Sequence, residues 1–172
     1  LVGVNKHERE NQVDLLFVIA RIYAGELDDV SAAFECLKEA QQINPRDEAT
    51  IDKLEEIAGE HGFWEGLSDH YADILDETFE MNVAVMYHRR RARILEEELD
   101  RADEAAEHYW QIIQLDAKDA TAYRALLIHY EKTEKWNELV NLLERQLDAT
   151  DADESDKKRK TQLQIAGVWE KK

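Results

Sequence analysis

The sequence predicts an all-α solenoid of about four antiparallel helical hairpins plus one extra C-terminal helix, and three observations lead there. One proline and six glycines in 172 residues are too few to punctuate sheets or long loops. Apolar residues recur at i, i+3, i+4 and i+7, the spacing that puts them on one face of a helix. The chain also repeats itself at a fixed offset, as arrays of identical supersecondary units do.

The offset is 72 residues. Residues 20–78 laid over 92–150 match at sixteen of 59 positions without a gap, against about four expected from average composition. Ala20-Arg21-Ile22 meets Ala92-Arg93-Ile94, Glu26-Leu27-Asp28 meets Glu98-Leu99-Asp100, and Ala33, Trp64 and Leu67 meet Ala105, Trp136 and Leu139. Each 72-residue unit divides into two hairpins of roughly 36 residues, within the range of helical repeats.

Periodicity and stop signals predict helices over 9–25, 30–43, 48–60, 64–77, 82–99, 102–115, 120–132, 136–147 and 156–170. Leu16, Ile19, Ala20 and Tyr23 form one apolar stripe; Tyr123, Leu126, Leu127 and Tyr130 form another. Asp28-Asp29, Asp47, Asp100 and Asp119 precede stripes, where a short carboxylate accepts the amides left unpaired in a first turn. Asn44-Pro45 and His61-Gly62 fall where helices must end. The acidic stretch 148–155 is the longest loop, and its two extra residues put the last helix out of step. Loops this short make neighbouring helices antiparallel. The hairpins then fall at about 9–45, 46–79, 80–117 and 118–150.

At the level of motif the hairpins resemble the tetratricopeptide repeat (TPR), whose pattern runs W-x2-L-G-x2-Y, A-x3-F, P. The first hairpin reads Leu16-x2-Ile19-Ala20-x2-Tyr23, Ala33-x3-Leu37, Pro45, and the third His88-x2-Arg91-Ala92-x2-Leu95, Ala105-x3-Tyr109. The second and fourth give Leu67-x3-Tyr71 and Leu139-x3-Leu143. Gln162-x2-Ile165-Ala166-x2-Trp169 starts a fifth whose second helix is absent. Small residues at Ala20, Ala33, Ala92, Ala105 and Ala166 stand where two helices approach closely. Glu55 replaces a small residue, and the first and third hairpins carry one extra turn residue. The resemblance implies a right-handed superhelix. Leu142–Leu147 followed by an acidic loop is similar to bacterial multi-repeat TPR proteins, and the half-a-TPR repeats of RNA-processing scaffolds are a rival resemblance.

Composition limits function. Thirty-nine acidic against 22 basic residues give a net charge of −17, which repels phosphate backbones and anionic lipids. Neither nucleic acid nor a membrane is expected as a partner. The one cysteine, Cys36, forms no internal disulfide, so the fold does not rely on oxidation, and it is read as a small buried apolar residue; the compartment is open, with the cytoplasm favoured. The start at Leu1, without a signal-peptide pattern, reads as a piece of a longer protein.

No catalytic, cofactor or metal site is expected. The six histidines form no i, i+4 pair, H-E-x-x-H is absent, and so are a glycine-rich phosphate loop and G-x-S-x-G. The TPR resemblance instead implies a concave groove lined by the first helix of each hairpin, with Phe17, Arg21, Arg89, Arg93, Arg124, Ile128 and Lys160 facing it. Guanidinium forks grip carboxylates at two points, so such a groove suits an acidic or carboxylate-bearing peptide of a partner protein. The alternative is that these cations pair with Asp14, Asp52, Glu56, Glu96 and Glu97, leaving a structural spacer. Trp64 and Trp136 are expected to pack across equivalent turns. Trp110 is open between packing and partner contact. Trp169 is expected to face the rest of the parent chain.

Overall fold

A computed structural model describes residues 6–171. Among them are nine α-helices and no strand: α1 (Lys6–Gly25), α2 (Val30–Ile43), α3 (Glu48–His61), α4 (Trp64–Glu77), α5 (Met81–Glu97), α6 (Ala102–Leu115), α7 (Ala120–Lys132), α8 (Trp136–Ala149) and α9 (Ser155–Lys171). The chain divides into two compact units, residues 1–83 and 84–172.

In the first unit α1 packs on α2, α2 on α3 and α3 on α4. The core takes Ala33, Leu37 and Ala40 from α2, Ile51, Leu54 and Ala58 from α3, and Leu67, Tyr71 and Ile74 from α4. Phe34 meets Phe63 edge-on at 5.3 Å between centroids. The aromatic of Trp64 lies over Gly59, across the turn between α3 and α4; a methyl there would sit 3.4 Å from Cζ2. In the second unit α6, α7, α8 and α9 again pack in series. Ala92 and Leu95 of α5 cluster with Ala105 of α6. A larger cluster joins Ile112 and Ile113, Tyr123 and Leu126, Leu139 and Leu142, and Val168 of α9. Trp136 is half-buried against it.

The 72-residue period is written into the backbone. Asp28 and Asp100 both adopt left-handed dihedrals, φ 54° and 53°. That geometry lets the amide of the next residue reach back to a carbonyl of the preceding helix, Asp29 to Tyr23 at 2.9 Å and Arg101 to Leu95 at 2.7 Å. Gly62 and Glu134 form the second such pair, φ 74° and 54°, closing α3 and α7 through Phe63 N–H to Ala58 and Lys135 N–H to Tyr130, each at 3.0 Å. Asp47 and Asp119 cap α3 and α7 alike, accepting the amides of Thr50 at 2.9 Å and Ala122 at 2.8 Å. α9 begins 74 residues after α5, so the loop before it holds two extra residues.

Three sequence expectations are corrected, and one left open is settled. Asp100 does not cap α6: the N-cap is Arg101, without a side-chain hydrogen bond, because Asp100 is given over to the left-handed turn. Its counterpart Asp29 does cap α2, accepting Ala32 N–H at 2.9 Å. Cys36 is half-buried, since it lies one position off the stripe of Ala33, Leu37 and Ala40, and burial with Glu39 and Glu35 pushes its thiol pKa up. Trp110 is settled as packed: its indole N–H donates to the Tyr130 hydroxyl at 2.5 Å and its ring rests on the larger core cluster. α5 stops at Glu97 rather than 99, where the turn preceding Asp100 takes over.

One internal comparison exposes a cost in the first unit. Gln41 and His70 are wholly buried, and the Gln41 amide oxygen and nitrogen and His70 Nε2 have no hydrogen-bond partner. Their counterparts 72 residues on are Ile113 and Leu142, both buried. A buried unsatisfied polar group costs about 1–3 kcal/mol. Gln41→Ile with His70→Leu should therefore stabilise the chain by about 1–2 kcal/mol at pH 7, read by urea unfolding; destabilisation would show that these polar atoms are satisfied in solution. The left-handed turns make a paired prediction. Glu134→Gly should stabilise by about 0.5–1 kcal/mol and Gly62→Ala destabilise by about 1 kcal/mol, because only glycine adopts positive φ without a Cβ clash. Equal effects of one sign in thermal melts would refute it.

Candidate functional site

Phe17 and Arg21 come together in the first unit, on a cleft between α1, α2 and α3. Its floor is Ala20 and Ala33, with Leu37 of α2, and its far wall is Ile57 of α3. The alanines are small because α1 and α2 close on each other there; the same smallness leaves room above them. The cleft measures about 490 Å³ and is almost wholly apolar, with Arg21 and Lys53 at its edges. Arg21 is exposed and makes no ion pair with any described residue, whereas Lys53 pairs with Glu56 at 2.7 Å. A cavity of that size takes one or two apolar side chains, and the arginine adds a fork for a carboxylate beside them.

The same positions one period later carry different chemistry. Arg89 stands for Phe17, Arg93 for Arg21, Glu96 for Ala24, Tyr109 for Leu37 and His129 for Ile57. Tyr109 is half-buried against both core clusters, and its hydroxyl donates to Glu96 Oε2 at 3.2 Å. Burial first, and then the Glu96 carboxylate, push its pKa up to about 12. Arg89 forms an ion pair with Asp119, an acid outside the five named from the sequence. His129 Nε2 lies 3.1 Å from Asp103, which also takes Lys135 at 2.5 Å. The amine and the imidazole hold the Asp103 carboxyl below its ordinary range, the Lys135 hydrogen bond being the larger cause.

The remaining sequence-derived residues fall elsewhere in the second unit. Arg93 is half-buried and engaged. Arg124 and Ile128 lie one turn apart on α7, both exposed, Ile128 at 56%. Lys160 borders a shallow polar hollow with Gln146, Thr150, Lys157 and Gln164. Trp169 is 55% exposed on α9. No helix among the described residues is long and apolar enough to cross a membrane, and no group of three or more His, Cys, Asp or Glu among them converges as a metal site.

Sequence reading missed one pair of titratable groups. His88 of α5 and His108 of α6 face each other with Nδ1 atoms 2.9 Å apart, so one imidazole donates and the other accepts. Nothing in a spacing of twenty residues signals this; only the hairpin register brings them together. Burial, and then the Arg91 guanidinium, lower both pKa values, His108 to about 4. Burial also brings His70 down to about 4. The His108 and His70 imidazoles are neutral when folded near pH 7 and take up protons more readily when unfolded. Their contribution is fully present above pH 6.5 and is lost as pH falls toward 4. Urea titrations should show the chain losing about 1–2 kcal/mol from His70 alone between pH 7 and pH 5. His70→Leu should flatten that slope, and an unchanged slope in the variant would remove the assignment.

No protein-family model matches the chain, and no curated protein is similar enough to be matched to it.

Proposed function

We propose that this chain is a TPR-like interaction scaffold whose first unit holds an apolar side chain of a partner peptide, with a neighbouring carboxylate on Arg21. The observation that carries the reading is the divergence of two copies of one backbone pattern. The second copy meets its own needs with Tyr109–Glu96 and Arg89–Asp119. The first keeps an open apolar cleft edged by an arginine that has no ion pair among the described residues. Apolar surface left to water is unfavourable, and a concave apolar site with one fixed charge is the usual form of a specific peptide contact. The ion pairs of the second unit favour a complementary role for that half, as a spacer that presents the first. No chemistry is assigned to either half.

The test uses synthetic peptides. One carries a central Leu flanked by Asp and Glu; its control carries the same Leu flanked by Lys. Fluorescence anisotropy should show the acidic peptide binding at least about tenfold more tightly, the equivalent of one good charge-assisted contact. Arg21→Glu should abolish the preference, while Arg124→Glu in the second unit should leave it intact. Equal affinity for both peptides, or indifference to Arg21, would remove the cleft from the reading.

A further inference from the structure

The first unit also displays the kind of ligand that its cleft fits. α4 ends at Glu77 and α5 starts at Met81, and the connection runs Thr78-Phe79-Glu80. Phe79 is 100% exposed, with Met81 exposed beside it. Together the two side chains put apolar surface into water at one turn, and a partner could bury it. The chain beside it is tied down. Glu80 forms an ion pair with Arg46 of the α2–α3 turn, and its amide donates to the Thr78 hydroxyl at 3.3 Å. One period later the corresponding link is Lys118 to Asp151 at 2.6 Å, and Asp151 itself occupies the position of Phe79. The aromatic knob thus lies in the first unit, where the open apolar cleft also lies.

We propose that Phe79 of one molecule seats in the α1–α3 cleft of a second copy, with Glu77 or Asp76 on Arg21, and that the exchange is reciprocal. The inference rests on the reading of the cleft as a docking site and names a second copy of this chain as its occupant. Three observations agree. The cleft's 490 Å³ admits a phenyl ring. Its edge carries Arg21, with no ion pair of its own, and the knob is flanked by Asp76 and Glu77. Knob and cleft lie in the same unit on different elements, so a two-fold pairing that seats one knob seats the other. The contact is small. Burying a phenyl ring removes about 150–250 Å² from water, far less over two copies than the roughly 1,600 Å² of a standard stable interface. The net charge of −17 on each chain opposes the approach. At 0.15 M salt that repulsion is screened beyond about 8 Å, while the Arg21 contact acts within it. The association is therefore weak, with Kd on the order of 10–100 µM.

Sedimentation equilibrium of the full chain from about 1 µM to about 1 mM brackets that range. The mass should rise from 20.1 kDa toward the dimer. Phe79→Ser, a change at a fully exposed position, should weaken association at least tenfold, and so should Arg21→Glu. An equimolar mixture of the two variants restores one of the two contacts, so it should associate more than either variant alone and less than the wild type. A wild-type chain that stays monomeric overturns the proposal. So does a Phe79→Ser chain that associates as the wild type does, or a mixture no better than its components. If the chain stays monomeric yet the acidic leucine peptide binds at Arg21, the second copy is wrong and the docking site stands. If neither occurs, both fall.

Discussion

The close approach of α1 to α2 and of α5 to α6 is the constraint on which the rest depends. Ala92 of α5 and Ala105 of α6 pack in one cluster, and Ala20 and Ala33 take the same places in α1 and α2, all four buried. A larger side chain at any of them would push the helices apart and shift every contact on the far side of the hairpin. With the approach fixed, the turn that follows α1 or α5 has little freedom. Asp28 and Asp100 enter left-handed conformations to return an amide to the helix just ended. Aspartate accepts that conformation more readily than most residues, so the turn and the close packing are two parts of one solution used twice.

That solution was legible in sequence because it is periodic. Stripes at helical spacing, breaks at Asn44-Pro45 and His61-Gly62, and the caps Asp47 and Asp119 place all nine described helices to within a few residues. What stayed hidden depends on the meeting of residues with no fixed separation. His88 and His108 look like scattered histidines until the hairpin folds. Arg89 has acids near it in sequence, yet pairs with Asp119 from the start of α7. Glu134 gives no sign of a left-handed turn, since nothing in its type favours one; only its place one period after Gly62 does. The offset of 72 was thus worth more than it yielded at first, because it predicts conformation as well as element.

The candidate site shows the converse. Its residues were named from a repeat pattern that treats all hairpins alike, and the chemistry lies in how they differ. Leu37 and Tyr109 occupy equivalent places, as do Ala24 and Glu96. A phenol and a carboxylate together fill space and satisfy each other, and a leucine and an alanine do neither. Differences of this kind on one backbone pattern separate a hairpin with its own phenol–carboxylate contact from one with an apolar opening. Repeat chains can diverge this way at low cost to the fold, because each unit is stabilised chiefly by its neighbours.

Electrostatics then decides which opening is worth keeping. On a chain of net charge −17, each added ligand carboxylate meets repulsion on approach. A cation retained in both copies, as Arg21 and Arg93 are, marks a position where that repulsion is locally reversed. In the second copy the guanidinium is drawn into the fold's own contacts. In the first it stands exposed beside an apolar cleft, where water competes less for the contact than over open surface and a charge-assisted bond is worth more. The proposed preference for an acidic, apolar-tipped segment rests on that contrast: a net charge that repels carboxylates in general, set against an exposed guanidinium at the edge of an apolar cleft.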